Sequence, residues 1–138
     1  MTSRIAINGF GRVGRIARPS AGLPPFPRTI MVATDGSEGS RPAVQVAASL
    51  AARLRADLRA VVATGGGDVD PAGVRAAIDA TGRPIPVIEH DGSAVATLRS
   101  LHPDLLVVGS RGLRGLRSLG SVSERVAHGA ECSVLVVR

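Results

Sequence analysis

The sequence contains no lysine. All 17 of its basic residues are arginines, and with 11 acidic residues they leave a net charge of +6 at neutral pH. Without lysine the chain lacks the phosphate-binding lysine of a Walker P-loop, and it can form no Schiff base through a lysine amine. The arginines are scattered and no aromatic stacking residues lie beside them, so we do not predict nucleic acid as a partner.

Aromatic residues are almost as scarce, since the 138 residues include two phenylalanines and neither tyrosine nor tryptophan. The hydrophobic fraction of 44% therefore consists mainly of valine, leucine, isoleucine and alanine. Such a composition suits a buried parallel sheet covered by helices. The length predicts a single domain with a core of moderate size.

The single cysteine, Cys132, excludes an internal disulfide, and no apolar run is long enough for a signal peptide or a membrane span. We therefore expect a cytoplasmic protein without a membrane partner, and we interpret Cys132 as a small buried hydrophobic residue. Three histidines, His90, His102 and His128, are scattered along the chain and form no recognised metal-binding motif. No metal site is predicted.

Regular alternation of strand and helix patterns begins at Arg28. Apolar runs predict five strands, at 29–34, 58–63, 85–89, 105–108 and 133–137. Between them lie four helical segments, whose predicted N-caps are Ser37 or Ser40, Asp70, Ser93 and Ser121. This order predicts an α/β fold, a single open parallel sheet with helices on both faces, whose ligands bind beyond the carboxyl ends of the strands.

A glycine-rich stretch after the fourth strand is the strongest local signal. The aliphatic run 105–108 stops at Gly109, and further glycines follow up to Gly120. Ser121 and Glu124 have the spacing of a capping box at the start of the last helix. Strand, glycine loop and helix N-terminus together predict a phosphate cradle, and the alternative is a surface loop followed by a well-capped helix.

The first residues carry a different motif. Residues 3–17 contain a short strand followed by Gly9-x-Gly11-x-x-Gly14, and they resemble the opening of glyceraldehyde-3-phosphate dehydrogenase. The resemblance implies the first strand and turn of an NAD-binding domain, with Asp35 as the acidic residue expected about 20 positions later. An NAD-binding fragment of such an oxidoreductase is thus one alternative function.

Prolines interrupt the helix that a dinucleotide fold would need after this motif. Pro19 limits it to about two turns, and three more prolines up to Pro27 make the connection extended. The dehydrogenase's Ser-Cys-Thr-Thr-Asn motif is also missing. We therefore expect residues 1–27 to be a poorly ordered extension and residues 28–138 to be the folded domain.

The domain itself resembles the universal stress protein family, whose fold is also that of the adenine nucleotide alpha hydrolases. The similarity lies in Asp35-Gly36-Ser37 after the first strand of the domain, Gly109-x-x-Gly112 after the fourth, and Gly120-Ser121-Val122-Ser123 at the last helix. It implies a sheet of order 3-2-1-4-5 and homodimers through the last strand, Ser133–Val137. In one subclass of the family it also implies ATP bound without a Walker lysine, and no protein ligand for magnesium is indicated.

The resemblance assigns three parts of a nucleotide site, residue by residue. Asp35 would lie beside the adenosine, and Ala63 against the adenine. The nucleotide would be lined by Val108, Gly109 and Gly112, and the phosphates would be bound by Gly120, Ser121, Val122 and Ser123. Read from the residues alone, Asp35 can instead cap its own turn, and Ser121 and Ser123 can be helix caps only.

One departure from the family pattern bears on ATP. The ATP-binding pattern has nine residues between the second glycine and the Gly-Ser pair, whereas this chain has seven, residues 113–119. In the same loop Arg111, Arg114 and Arg117 offer guanidinium groups suited to phosphate. We predict an ATP-binding stress-response or signalling module that acts by binding, without catalytic residues, although slow hydrolysis can accompany binding. A dimeric stress protein that binds no nucleotide is the other alternative.

Overall fold

The computed structural model of the chain describes residues 5–8, 26–65, 68–110 and 121–138. The described strands are β1 (Ile5–Asn8), β2 (Thr29–Ala33), β3 (Asp57–Ala63), β4 (Val87–His90), β5 (Leu105–Gly109) and β6 (Ser133–Val137). The described helices are α1 (Arg41–Leu54), α2 (Pro71–Asp79), α3 (Ala94–Ser100) and α4 (Ser121–Gly129).

The strands form one sheet with the order β1-β6-β5-β2-β3-β4. The five strands β2 to β6 are mutually parallel where they pair. Counted within the domain they have the order 3-2-1-4-5, which confirms the predicted fold class. The chain proceeds outward from β2 to β3 and β4, and then returns to the other side of β2 with β5, so strand order reverses between β2 and β5.

Helices cover both faces of this sheet. On one face α1 and α2 pack on alternate strand residues, which include Ile30, Val32 and Val107. On the other face Leu98 of α3 and Val126 of α4 pack on the intervening residues, among them Leu106, Val108, Val134 and Val136. Because successive side chains of a strand point to opposite faces, an uninterrupted aliphatic run supplies both cores.

The helix starts lie where the sequence predicts them, but their caps differ. Ser93 accepts a hydrogen bond from the Ala96 N–H at 3.3 Å and caps α3 as predicted. Ser40 and Asp70 occupy the N-cap positions of α1 and α2, yet neither side chain makes a capping hydrogen bond. Pro42 and Pro71 lie in the first turns, where the missing N–H would have no partner inside the helix.

The buried face of α1 is rotated relative to the prediction. The helical spacing of six residues predicts that they form the buried stripe: Ala43, Val46, Ala47, Leu50, Ala51 and Leu54. The structure buries Val44 and Ala48 with the three alanines, and Val46 and Leu50 pack partly buried against the core. Leu54 is among the exposed hydrophobic residues. The small alanines let α1 lie close to the sheet, so the longer side chains are left at the margin of the contact.

The amino ends of β2 and β5 are joined by Asp104. Its Oδ2 atom accepts hydrogen bonds from the backbone N–H groups of Arg28 and Thr29 at 2.8 and 2.9 Å, and from the Thr29 hydroxyl at 3.2 Å. The Asp104 N–H in turn donates to Thr29 Oγ1 at 3.0 Å. These hydrogen bonds hold the pKa of the Asp104 carboxyl below its ordinary value, with the Thr29 N–H as the largest cause.

Part of the N-terminal extension belongs to the sheet. β1 pairs antiparallel with β6, from Ile5 beside Val137 to Asn8 beside Val134. The short strand predicted before the glycine motif is therefore present, and the edge of β6 through which a dimer was predicted is occupied by the chain itself. The division of the chain at residue 27 stays a prediction.

The antiparallel direction of β1 also bears on the dehydrogenase resemblance, which the structure does not support. A dinucleotide-binding domain needs a first strand that runs parallel to its neighbours. The end of β1 at Asn8 lies beside Val134 at the start of β6, at the edge opposite the carboxyl ends of the parallel strands. The motif Gly9-x-Gly11-x-x-Gly14 lies outside the described residues.

Candidate functional site

The loop after β2 places a buried carboxylate at the carboxyl edge of the sheet. Asp35 is 9% exposed, and its Oδ1 atom accepts a hydrogen bond from the Ser37 N–H at 2.9 Å. This Asx turn is the turn-capping role that the sequence left open for Asp35. Because β2 borders the point where strand order reverses, Asp35 lies where ligands bind in open α/β sheets.

A chain of buried hydroxyl groups fixes the same loop, and sequence analysis missed it. The Gly36 N–H donates to Thr34 Oγ1 at 3.2 Å, the Thr34 and Ser40 hydroxyls lie 2.9 Å apart, and the Ser40 hydroxyl donates to the Ser37 carbonyl at 2.9 Å. Each hydroxyl thereby both donates and accepts a hydrogen bond. Ser40 thus turns its side chain back into the loop instead of capping α1, and the loop is held rigidly beside Asp35.

Two glycines let this loop lie directly against the start of α2. Gly36 has φ +83°, and a Cβ atom there would overlap the Asp70 carbonyl oxygen. A Cβ atom on Gly73 of α2 would in turn overlap the Gly36 carbonyl oxygen. The contact is closed by the Asp70 N–H, which donates to the Asp35 carbonyl at 2.8 Å. The backbone of Asp70 therefore has a fixed position relative to the Asp35 turn.

A cavity of about 310 Å³ lies between the loop after β2 and the segment that leads into α2. Its lining residues are Asp35, Ser37, Asp68, Val69, Asp70 and Pro71. Three of them are carboxylates, so the cavity offers hydrogen-bond acceptors to a ligand and repels anions. Its volume is at the lower end of the range of small-molecule sites, about 300–1,000 Å³. The contribution of Asp68 and Asp70 was not predicted, because they are separated from Asp35 in the sequence.

Three more predicted site residues lie at neighbouring strand ends. Gly109 ends β5, and a Cβ atom on it would lie 3.0 Å from the Gly39 carbonyl oxygen, so the end of β5 closely approaches the start of α1. Ala63 ends β3 and is half-buried. Val108 is 5% exposed and belongs to the core under α3 and α4. None of the three lines the cavity beside Asp35.

The predicted phosphate-binding residues are described only in part. Gly112 and Gly120 lie outside the described residues, as do Arg111, Arg114 and Arg117. The backbone of Ser121, Val122 and Ser123 forms the first turn of α4, as predicted. The start of α4 thus follows the glycine loop, but the roles assigned to these side chains stay predictions.

Other reactive side chains make ordinary structural contacts. His90 is exposed, and its Nδ1 atom lies 3.2 Å from the Thr97 hydroxyl. Cys132 is half-buried against the core under α3 and α4, and burial raises the pKa of its thiol. Within residues 26–65, 68–110 and 125–138, no group of His, Cys, Asp and Glu side chains is arranged to hold a metal ion. No described helix has the length and apolar character needed to cross a membrane.

A sequence model of the universal stress protein family matches residues 27–79 and 70–138, which include every strand from β2 to β6. The chain belongs to the universal stress protein family. The match begins at the end of the N-terminal extension, so the segment that resembles a dehydrogenase is not part of it. Comparison with curated protein sequences gave no match.

Solved structures of universal stress proteins share the fold. One, a universal stress protein in complex with cAMP, is 35% identical, with a TM-score of 0.67 over 81% of this chain and 97% of that chain. A universal stress protein from Archaeoglobus fulgidus DSM 4304 is 26% identical, with a TM-score of 0.56 over 79% of this chain and 43% of that chain. The universal stress protein UspA from Lactobacillus plantarum is 21% identical, with a TM-score of 0.63 over 80% of this chain and 97% of that chain.

Proposed function

We propose that this universal stress protein binds an adenine nucleotide at the carboxyl edge of its sheet and acts through that binding. The observation that carries the proposal is the position of Asp35. It is buried, oriented by the Ser37 N–H, and lines a cavity next to the reversal of strand order. A carboxylate held in this way accepts hydrogen bonds from the vicinal hydroxyls of a ribose, and such charge-assisted hydrogen bonds are short and strong.

The distribution of charge sets the orientation of the nucleotide. Asp35, Asp68 and Asp70 line the cavity, and their negative charges repel phosphates. The start of α4, which follows β5 and the glycine loop, carries the partial positive charge of a helix N-terminus. We therefore place the ribose at Asp35 and the phosphates toward Ser121, with Gly109 beneath them and Ala63 beside the base.

The similarity to a universal stress protein in complex with cAMP supports an adenine nucleotide as the ligand. ATP is the first ligand in our proposal, and cAMP is the second ligand, whose affinity is compared with that of ATP. In the sequence the glycine loop is two residues shorter than the ATP-binding pattern, from which we predict less room for a triphosphate than for a single cyclic phosphate.

Binding without rapid turnover follows from the same orientation. The carboxylates that line the cavity are at the ribose end, away from the phosphates, so none of them is placed to activate a water at the γ-phosphate. We propose that a change in contacts with other molecules is the output of binding, and that any ATP hydrolysis is slow.

The experiment is a calorimetric titration of the chain and of the Asp35→Asn variant with ATP, cAMP and NAD, each in the same buffer. Asn keeps the size of the side chain and removes its charge, so we expect ATP or cAMP affinity to fall at least about tenfold. The matched control is Asp57→Asn, the same change on an exposed residue at the opposite, amino edge of the sheet, which should leave the affinity unchanged.

Whether Asp35→Asn lowers or raises the affinity tests the orientation of the nucleotide in the site. If phosphates lay at Asp35, removal of the negative charge would raise the affinity instead of lowering it. Binding of NAD alone would contradict the proposal in favour of the dehydrogenase alternative. No shift of the melting temperature by any of the three ligands would identify a stress protein that binds no nucleotide.

A further inference from the structure

The two outer strands of the parallel sheet protect their free edges in different ways. β4 has four residues, follows Pro86, and includes the exposed charged or polar residues Glu89 and His90. Short length, a nearby proline and charge are the usual means of preventing a strand from pairing with another chain. The edge of β4 therefore needs no cover.

β6 contains neither a proline nor a charged residue. After Ser133 it consists of four aliphatic residues, Val134 to Val137, each no more than 9% exposed. On one side it pairs in parallel with β5, from Leu105 beside Ser133 to Gly109 beside Val137. Without a neighbour on its other side, β6 would present unpaired N–H and C=O groups along an aliphatic strand, which is a template for pairing.

The neighbour that covers this edge is β1, and its direction is informative. β1 runs antiparallel to β6, although every other pairing in the sheet is parallel. When two copies of a chain associate about a two-fold axis through one edge strand, the two copies of that strand are also antiparallel. β1 therefore makes with β6 the type of ladder that β6 of a second copy would make.

We propose that β1 takes the place of a second copy of the chain, so that the chain is monomeric at the β6 edge until β1 is released. The partner that fits the uncovered edge is β6 of another copy. A strand on the same chain competes at an effective concentration in the millimolar range when its tether is short. At micromolar protein concentration the second copy would have to pair about a thousandfold more tightly to displace it.

The experiment compares the full-length chain with the double variant Ala6→Pro/Ile7→Pro by sedimentation velocity at micromolar concentration. In an antiparallel ladder only alternate residues direct their N–H toward a given neighbour, so one of two adjacent prolines must remove a hydrogen bond to β6. We expect the full-length chain to sediment as a monomer and the double variant to sediment with twice the mass. The matched control, Ala6→Thr/Ile7→Val, keeps both N–H groups and should remain monomeric.

Hydrogen exchange gives a second measurement on the same two chains. In the full-length chain the amides of β1 that pair with β6 should exchange slowly. In the double-proline variant the β6 amides that face away from β5 should stay protected, because the second copy replaces β1. The proposal is overturned if residues 5–8 of the full-length chain exchange as freely as an unpaired segment. It is equally overturned if the double variant remains a folded monomer.

Discussion

At the scale of single residues, Asp104 joins two strands through one carboxylate oxygen. Oδ2 accepts two backbone N–H groups and one hydroxyl from Arg28 and Thr29, at the edge of the sheet opposite the cavity. The bonded form is the carboxylate, and this is why the pKa of Asp104 is lowered on folding. A carboxyl group with a lowered pKa in the folded state stabilises the fold above its pKa in the unfolded chain, about 3.9, and loses this effect as the pH falls below it.

We therefore expect Asp104→Asn to destabilise the chain at neutral pH by about 1 kcal/mol, since the charge-assisted hydrogen bonds are partly exposed to solvent. The difference in unfolding free energy between the two chains should shrink as the pH is lowered through 4 toward 3, because Asp104 takes up a proton there in the unfolded chain, while the lowered pKa keeps it a carboxylate in the fold. Denaturant unfolding of both chains at pH 7 and at about pH 3 measures this difference in unfolding free energy. A difference that does not depend on pH would contradict the role assigned to the carboxylate.

Local residue patterns predicted some of these contacts and not others. The cap of α3 by Ser93 and the turn of Asp35 involve residues two or three positions apart, so the sequence alone contains the signal. The hydrogen bonds of Thr34 with Ser40 and of Asp104 with Thr29 depend on how the chain folds back. No spacing rule indicates such pairs, and Ser40, one of the two residues predicted to cap α1, makes no capping hydrogen bond.

At the scale of secondary-structure elements, the contact between Gly36 and Gly73 sets the distance between the loop after β2 and α2. The backbone of Asp70 and Val74 occupies the space that a Cβ atom on Gly36 would need, and the Gly36 carbonyl occupies the space that a Cβ atom on Gly73 would need. Since Asp70 and Pro71 at the start of α2 line the cavity, this contact also sets its width.

A matched pair of substitutions separates the cost of the close contact with α2 from the cost of a positive φ. Gly36 and Gly82 both have positive φ, at +83° and +69°, but a Cβ atom on Gly82 would meet no atom within 4 Å. We expect Gly82→Ala to cost about 1 kcal/mol, which is the penalty of the left-handed conformation. Gly36→Ala should cost about 3 kcal/mol because it adds overlap with backbone. Chemical denaturation measures both, and equal losses would show that the contact with α2 contributes nothing.

The elements themselves were predicted well because their signals are local. Aliphatic runs gave the strands to within a few residues, and proline and serine gave the starts of the helices. The third strand of the domain begins at Val87 rather than at residue 85, because Pro84 and Pro86 interrupt the ladder. The rotation of α1 could not be predicted, since alanine is compatible with either side of a helix.

At the scale of the whole molecule, the domain from residue 28 accounts for both cores and for all of the described residues that line the cavity. The order of its strands was predicted through the family resemblance, whereas alternation alone predicted only an open parallel sheet. The direction of β1 was not predicted, because a strand of four residues indicates neither its neighbour nor its orientation.

Removal of residues 1–27 is the corresponding test at this scale. We expect the shortened chain to keep its fold and its nucleotide affinity within about twofold, because none of the described residues in the proposed site belongs to the extension. Circular dichroism and the same calorimetric titration measure the two properties. Loss of all nucleotide binding would place the site in the extension and would contradict the proposed function.

The pairing of β1 with β6 also determines when the fold can be completed during synthesis. β1 leaves the ribosome early, but its partner Val134–Val137 is made only after the whole domain, on the order of ten seconds later at about 5–20 residues per second. Until then β1 has no strand to pair with, and when β6 emerges its edge is open. The two ladders of β6, with β5 and with β1, are therefore the last ladders of the sheet to form.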